Sequence, residues 1–276
     1  MDFPLENCII ADQCFSIPQV QELLQYPHLL TYVQIDLKLL EEEISKLGEK
    51  KAITCSLSKE EKDLLSTLSL DKRRKEWLGG RFAAKYATAG LFEQVESQKH
   101  DMHWSRYAII VDKNGRPYLS ANNKNAAHLT MPDISISHSG SMAVAMAVQK
   151  GFCGVDIQKV TQKVFKVSDR YCSHNEKQIL EKFFPVEPEK QAAPLTKLWA
   201  AKEALRKVSA MNSLPGFLEL ELIEITTAPL QKESGPWGFI FNWKNSAGRT
   251  HKKCTVAVTH LEDYALALTA RGDTLG

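Results

Sequence analysis

Polar and apolar residues alternate along Asp133-Ile134-Ser135-Ile136-Ser137-His138, the period of a strand with one face in a core. Beyond Ser139-Gly140 the run Ala143-Val144-Ala145-Met146-Ala147-Val148 predicts a second strand and an antiparallel hairpin. Ser58-x-x-Glu61 and Ser173-x-x-Glu176 are capping boxes that open helices. Pro194 suits the first turn of a helix carrying Lys202 and Glu203. Lys113-Asn114-Gly115-Arg116-Pro117 reads as a hairpin tip, from its Asn-Gly and its proline.

These elements occur twice. Arg81-Phe82-Ala83-Ala84-Lys85-Tyr86-Ala87 matches Leu198-Trp199-Ala200-Ala201-Lys202-Glu203-Ala204. Val33-Gln34-Ile35-Asp36-Leu37 matches Gly154-Val155-Asp156-Ile157. The hairpin at Ile136-Ser137-His138 matches Val258-Thr259-His260 with Ala265-Leu266-Ala267-Leu268. The three offsets are 117, 120 and 122 positions in the same order, the signature of a tandem duplication joined near Gln149-Lys150-Gly151. Strand, helix, then grouped strands predict an α+β fold: a pseudodimer of two similar α/β units, each an antiparallel sheet packed with helices. The expected division is an N-terminal extension over 1–28, a first unit over 29–150 and a second over 151–276, with the active site at their interface. Gln231–Arg249 reads as a strand and loop inserted in the second unit only.

Composition narrows the classes. The chain has 276 residues, 43% hydrophobic and 25% charged, with a net charge of +2, ordinary for a globular protein and no footprint for nucleic acid. No window approaches 18 uninterrupted apolar residues, and Met1–Glu6 lacks a basic flank ahead of an apolar stretch, so neither a membrane span nor a signal peptide is expected. The six cysteines are scattered without a CxxC pair, which points to reduced thiols and a cytoplasmic protein.

Three segments hold polar residues suited to a phosphate site. On a strand, Asp156 and Gln158 share one face and Val155 and Ile157 the other; two oxygen-bearing side chains there can hold a hard cation, although a strand-end aspartate in a turn looks the same. On a helix, Glu203 and Lys207 stand four apart on one face, as they also would on a solvated surface. His138, at a strand end before a glycine turn, can donate to phosphate or serve structure alone.

Taken in order, Asn114-Gly115-Arg116-Pro117, Ile136-Ser137-His138-Ser139, Gly154-Val155-Asp156-Ile157 and Trp199-Ala200-Ala201-Lys202-Glu203-Ala204 resemble the 4'-phosphopantetheinyl transferase superfamily, in particular its surfactin-type pseudodimeric members, over Thr31 to Ala270. Lys72-Arg73-Arg74 followed by Trp77 through Lys85 is similar to the helix motif of the small trimeric acyl-carrier-protein synthases. The resemblance implies Mg²⁺-dependent transfer of the phosphopantetheine arm of coenzyme A, the co-substrate, to a serine of an apo acyl carrier protein or a carrier domain of polyketide or peptide synthases. It implies Asp156 and Glu203 as metal ligands, with Gln158 where a third acidic ligand often stands. Ser137, His138 and Arg116 would meet the phosphates, with Lys113 beside them. Lys207 would neutralise phosphate charge, and Glu203, or a water it holds, would deprotonate the acceptor serine. A monomer is implied, with no nucleic-acid or membrane partner.

Two departures shape the expectation. Tyr86 occupies the position of Glu203 in the other copy, so one metal site per chain follows. The helix start at Ser58–Leu64 lacks the basic residues that surfactin-type enzymes place for the 3'-phosphate, leaving Arg73, Arg74 and Arg81 as substitutes among which the sequence does not choose. A regulatory module that binds coenzyme A or a carrier without turnover is the competing reading.

Overall fold

Glycine at position 154 lets a helix backbone lie on a strand: a Cβ there would meet the carbonyl oxygen of Ala204 at 2.0 Å. Contacts of this kind set the layout of a chain that, in the computed structural model, divides into two units. Residues 5–10, 16–96, 103–121, 130–185, 187, 190–208, 215–227, 235–244 and 250–272 are described. One unit comprises Met1–Gln13, His28–Cys153 and Gly272–Gly276; the other comprises Cys14–Pro27 and Gly154–Arg271.

In the first unit, β1 (Leu30–Asp36) is followed by helices α2 (Leu37–Leu47), α3 (Glu49–Ser56), α4 (Lys59–Ser66) and α5 (Asp71–Glu96). Strands β2 (Tyr107–Val111), β3 (Pro117–Ala121), β4 (Asp133–Ser139) and β5 (Met142–Val148) complete it. The sheet is antiparallel in the order β1-β5-β4-β3-β2. Small residues on α5 (Ala83, Ala84 and Ala87) and on β5 (Ala143, Ala145 and Ala147) share the core with Phe82, Leu91, Ile109 and Ile134. Leu5 and Cys8 are buried in that core as well.

The second unit opens with α1 (Ile17–Leu24), whose Ser16 and Gln19 form a capping box. Its Leu23 lies 3.4 Å from where a Cβ on Gly238 would stand. The strand β6 (Phe152–Lys159), which begins two residues before the division, leads into α6 (Gln162–Lys166), α7 (His174–Phe183) and α8 (Ala192–Val208). Strands β7 (Leu220–Thr227), β8 (Trp237–Lys244), β9 (Thr250–Leu261) and β10 (Tyr264–Arg271) follow. The sheet order β6-β10-β9-β8-β7 repeats that of the first unit strand for strand. The fold is α+β, two similar units each built on a five-stranded antiparallel sheet with helices. Among the described residues, no helix is long and apolar enough to cross a membrane.

The reading of Gln231–Arg249 as an insertion is corrected. Its described part, Trp237–Lys244, pairs β7 with β9 just as Pro117–Ala121 pairs β2 with β4, so both units own this strand. The strand is eight residues long in one unit and five in the other. Little common pattern survives such a difference. Residues 231–234 and 245–249 lie outside the described set.

The duplication extends to a buried ion pair that anchors each long helix. Lys85 on α5 donates to Glu61 at 2.5 Å and to Ser56 O at 2.7 Å. Lys202 on α8 meets Glu176 at 2.7 Å and donates to Tyr171 O at 2.6 Å. Each glutamate is also the third helical residue, closing its capping box, and accepts from a strand amide, Ile109 N for Glu61 and Leu222 N for Glu176. Both lysine side chains are fully buried. Burial pulls both lysines down, and the glutamate beside each opposes it, so the carboxylate is what makes an enclosed ammonium tolerable.

Among the described residues, no carboxylate pairs with Lys197 on α8. It is 8% exposed, and burial alone pulls its pKa from 10.5 to about 8. Between those values the unfolded chain binds more protons, so this group makes stability rise with pH from about 8 to 10.5, while below 8 the full penalty persists. Lys197→Met should therefore stabilise the chain at pH 7, by up to about 3 kcal/mol, with the gain fading by pH 10.5. Denaturant midpoints at the two pH values check it.

Candidate active site

Strand alternation on β6 and the close approach of α8 at Gly154 bring together the acidic groups expected from the sequence. Asp156 is 6% exposed, and its Oδ1 accepts from Lys207 Nζ at 2.7 Å. Lys207 Nζ also donates to Val155 O at 2.8 Å, which fixes it against the strand. Glu203, one turn earlier on α8, accepts from Arg206 Nη1 at 3.2 Å. Arg206 is held in turn by Pro215 O at 3.0 Å and by the ring of Phe217, 4.5 Å from its guanidinium carbon.

Burial raises the pKa of Glu203, and the negative charge of Asp156 raises it further, against the opposing pull of Arg206 and Lys207. Asp156 is therefore close enough for its charge to act on Glu203. No group of three or more His, Cys, Asp or Glu suited to a metal occurs among the described residues. Two coupled carboxylates nevertheless fit Mg²⁺, which takes most of its oxygens from water and substrate. Gln158 is half-buried and donates from Nε2 to Lys159 O at 3.3 Å.

In the first unit, α5 and the C-terminal half of β4 frame a groove of about 520 Å³ whose lining includes Lys72, Arg73, Glu76, Trp77, Arg81 and His138. Gly80 lies on its floor, where a Cβ would come within 2.9 Å of Ile136 Cγ2. Arg81 packs over the Trp77 ring at 4.5 Å. Its Nε is buried without a hydrogen-bond partner among the described residues, and burial lowers its pKa. His138 Nδ1 stands 3.8 Å from Glu76 Oε2, and Lys72 Nζ is 3.8 Å from Glu76 Oε1. Such a pocket, cationic with one aromatic wall, suits an anionic group joined to a flat ring.

Of the three arginines left open by the sequence, the groove takes two. Arg74 turns to Glu49 at 2.7 Å and to Leu65 O at 3.2 Å. Arg73 and Arg81 face the groove with Trp77, an i, i+4, i+8 stripe that the helical period makes readable in advance.

The remaining expected phosphate contacts lie elsewhere. Arg116 Nε donates to Asp133 Oδ1 at 3.1 Å, its Nη2 contacts the other oxygen of Asp133, and it reaches Cys153 O at 3.3 Å. Lys113 is exposed at the β2–β3 tip. Ser137 is buried on the face of β4 opposite Ile136 and His138, in register with Val144. None of the three lines the groove. His260, the counterpart of His138, stacks on Trp237 with ring centroids 5.8 Å apart.

Comparison with known proteins follows the same lines. A family model described as the 4'-phosphopantetheinyl transferase superfamily matches residues 152–269. A holo-[acyl-carrier-protein] synthase of a Geobacillus species is 34% identical over 119 residues, covering 41% of this chain and 88% of that protein. The synthase of the same description from Halalkalibacterium halodurans is 35% identical over 95 residues, covering 33% of this chain and 71% of its own length. A crystal structure of the Bacillus anthracis holo-(acyl-carrier-protein) synthase, in complex with CoA (3',5'-ADP), is 25% identical. It overlays with a TM-score of 0.34 and covers 43% of this chain and 92% of its own.

Proposed function

Since this chain belongs to the 4'-phosphopantetheinyl transferase superfamily, we propose that it transfers the phosphopantetheine arm of coenzyme A to a serine of an apo carrier protein, releasing 3',5'-adenosine bisphosphate with Mg²⁺ as cofactor. The observation that carries the reading is the coupled carboxylate pair, Asp156 on β6 and Glu203 on α8, with Lys207 bound to Asp156. Two units with one strand order in a single chain support assignment to the surfactin-type, two-unit branch.

Phosphoryl transfer asks a protein for position and charge neutralisation more than for covalent chemistry. A Mg²⁺ held by Asp156 and Glu203 would draw charge from the pyrophosphate oxygens. Lys207, fixed by Val155 O and Asp156, supplies a second positive charge to the phosphates. Glu203 accepts the proton of the acceptor hydroxyl at a carboxylate oxygen. Gln158 stands two residues from Asp156 on the same strand face, where its amide oxygen or a water would be a further oxygen ligand for the ion.

Arg73, Arg81 and His138 receive the nucleotide end of coenzyme A, with Trp77 as its aromatic wall. Roles for Lys113, Arg116 and Ser137 as phosphate contacts rest on the resemblance alone. Arg73→Ala should raise KM for coenzyme A about tenfold, the loss of one charge-assisted contact, and leave KM for 3'-dephospho-coenzyme A unchanged. Arg74→Ala should change neither. Equal effects of Arg73→Ala on both substrates would remove the 3'-phosphate from this groove.

The activity is tested with the full chain, coenzyme A, Mg²⁺ and a panel of apo carriers from fatty-acid, polyketide and peptide synthases. Intact-mass spectrometry should find one phosphopantetheine arm on the serine of at least one carrier, and none after chelation. Carriers left unmodified across the panel, with coenzyme A still bound, would make the protein a binding module instead.

A further inference from the structure

Position 197 on α8 is the counterpart of Gly80 on α5, by the offset that relates Lys202 to Lys85. In the first unit the glycine leaves the groove open. In the second unit a lysine stands there, and its side chain runs between two rings. Lys197 Nζ is 5.2 Å from the centroid of Phe184 at the end of α7 and 5.3 Å from that of Trp237 at the start of β8. His260 of β9 stacks on the same tryptophan, and it is the titratable group that faces the amine from that strand. The described residues place no acidic side chain in an ion pair with Lys197, in contrast to Lys85 and Lys202 on the equivalent helices.

Burial with no acidic partner among the described residues leaves this amine poorly solvated as an ammonium, a cost that the two ring faces offset only in part, so it spends more time as the free base than an exposed lysine does. A lysine in that condition is a nucleophile. We propose that Lys197 is a reactive amine and a site of covalent acylation by small acyl thioesters. Its free Nζ attacks the thioester carbonyl, a C–N bond forms and the C–S bond breaks. The nitrogen loses one proton, the departing thiolate takes one up, and amide and thiol are the products with no change of oxidation state. Phe184 also walls an open cavity of about 300 Å³ with Leu180, Pro194 and Leu195, so space for a short acyl chain adjoins the ring that covers the amine. The depressed lysine pKa, about 8 from burial, places the onset of reactivity near neutral pH.

The native full-length chain treated with limiting S-acetyl-N-acetylcysteamine, a thioester with no nucleotide to seek the basic groove, tests the proposal. Peptide mass spectrometry follows each lysine from pH 6.5 to 9.5. Lys197 should acetylate at least about tenfold faster at pH 7.5 than the exposed Lys163 and Lys253, with its rate rising through a midpoint near 8. A rate no greater than theirs, or acetylation of Lys197 only in denaturant, would overturn the proposal and leave the lysine as a filler of the second groove. Both readouts are independent of transferase activity.

Discussion

Asp156→Ala should lower carrier modification by about a thousandfold or more while leaving the chain folded. The expectation follows from what the side chain touches. Its Oδ1 holds Lys207 at 2.7 Å, and its charge raises the pKa of Glu203, so one substitution removes a proposed metal ligand and releases the lysine proposed to neutralise phosphate. Losses of this size are ordinary when a preorganised charge at developing negative oxygens is removed. Lys207 keeps 30% of its side chain in solvent and its bond to Val155 O, so it is not stranded in a core and the melting temperature should move little. Asp156→Asn, of equal shape, should fail to the same degree. Turnover at the parental rate in either variant would remove Asp156 from the reaction.

The largest loss of stability is expected at the duplicated buried pair. Glu176→Ala leaves the Lys202 ammonium in a fully buried position with two carbonyl oxygens, Tyr171 O and Phe217 O, as partners. It also removes the acceptor of Leu222 N and the reciprocal half of the Ser173 capping box. Breaking one side of a buried pair costs about 3–5 kcal/mol, a large part of the stability of a domain of this size. Glu61→Ala should match it in the first unit, where Lys85, Ile109 N and Ser58 N lose the same partner. The apolar replacement Glu176→Leu with Lys202→Met should recover most of the loss, since no unpaired charge remains. Denaturant midpoints decide: a Glu176→Ala chain as stable as the parent would mean that the pair is a passenger.

The legibility of these features in the sequence follows from how local each one is. The repeat was readable because helix and strand periods survive duplication: the Ala-Ala-Lys segments and the apolar hairpins carry it, and the sheet orders of the two units agree strand for strand. The capping boxes at Ser58 and Ser173 were readable because four neighbouring residues specify them. That Glu61 and Glu176 then turn inward to a lysine on the next long helix was not, since the partners stand 24 and 26 positions apart in sequence and only the tertiary packing brings them together. Arg116 was expected to meet phosphate from its place in a motif. Its fork with Asp133 depends on the pairing of β3 with β4, which no local pattern encodes. The Arg73-Trp77-Arg81 stripe lay in plain helical period, but choosing it over Arg74 required knowing that His138 and Gly115 close the groove and that Glu49 holds Arg74.

A strand carboxylate and a helix carboxylate of the second unit are proposed to hold one divalent ion. Crystals grown with coenzyme A and Mn²⁺ in place of Mg²⁺ test it through the anomalous signal of the metal. A peak should lie about 2.0–2.2 Å from one oxygen each of Asp156 and Glu203 and be absent in crystals of Asp156→Asn. A Mn²⁺ bound away from both side chains, with Asp156 still on Lys207 and Glu203 still on Arg206, would contradict it.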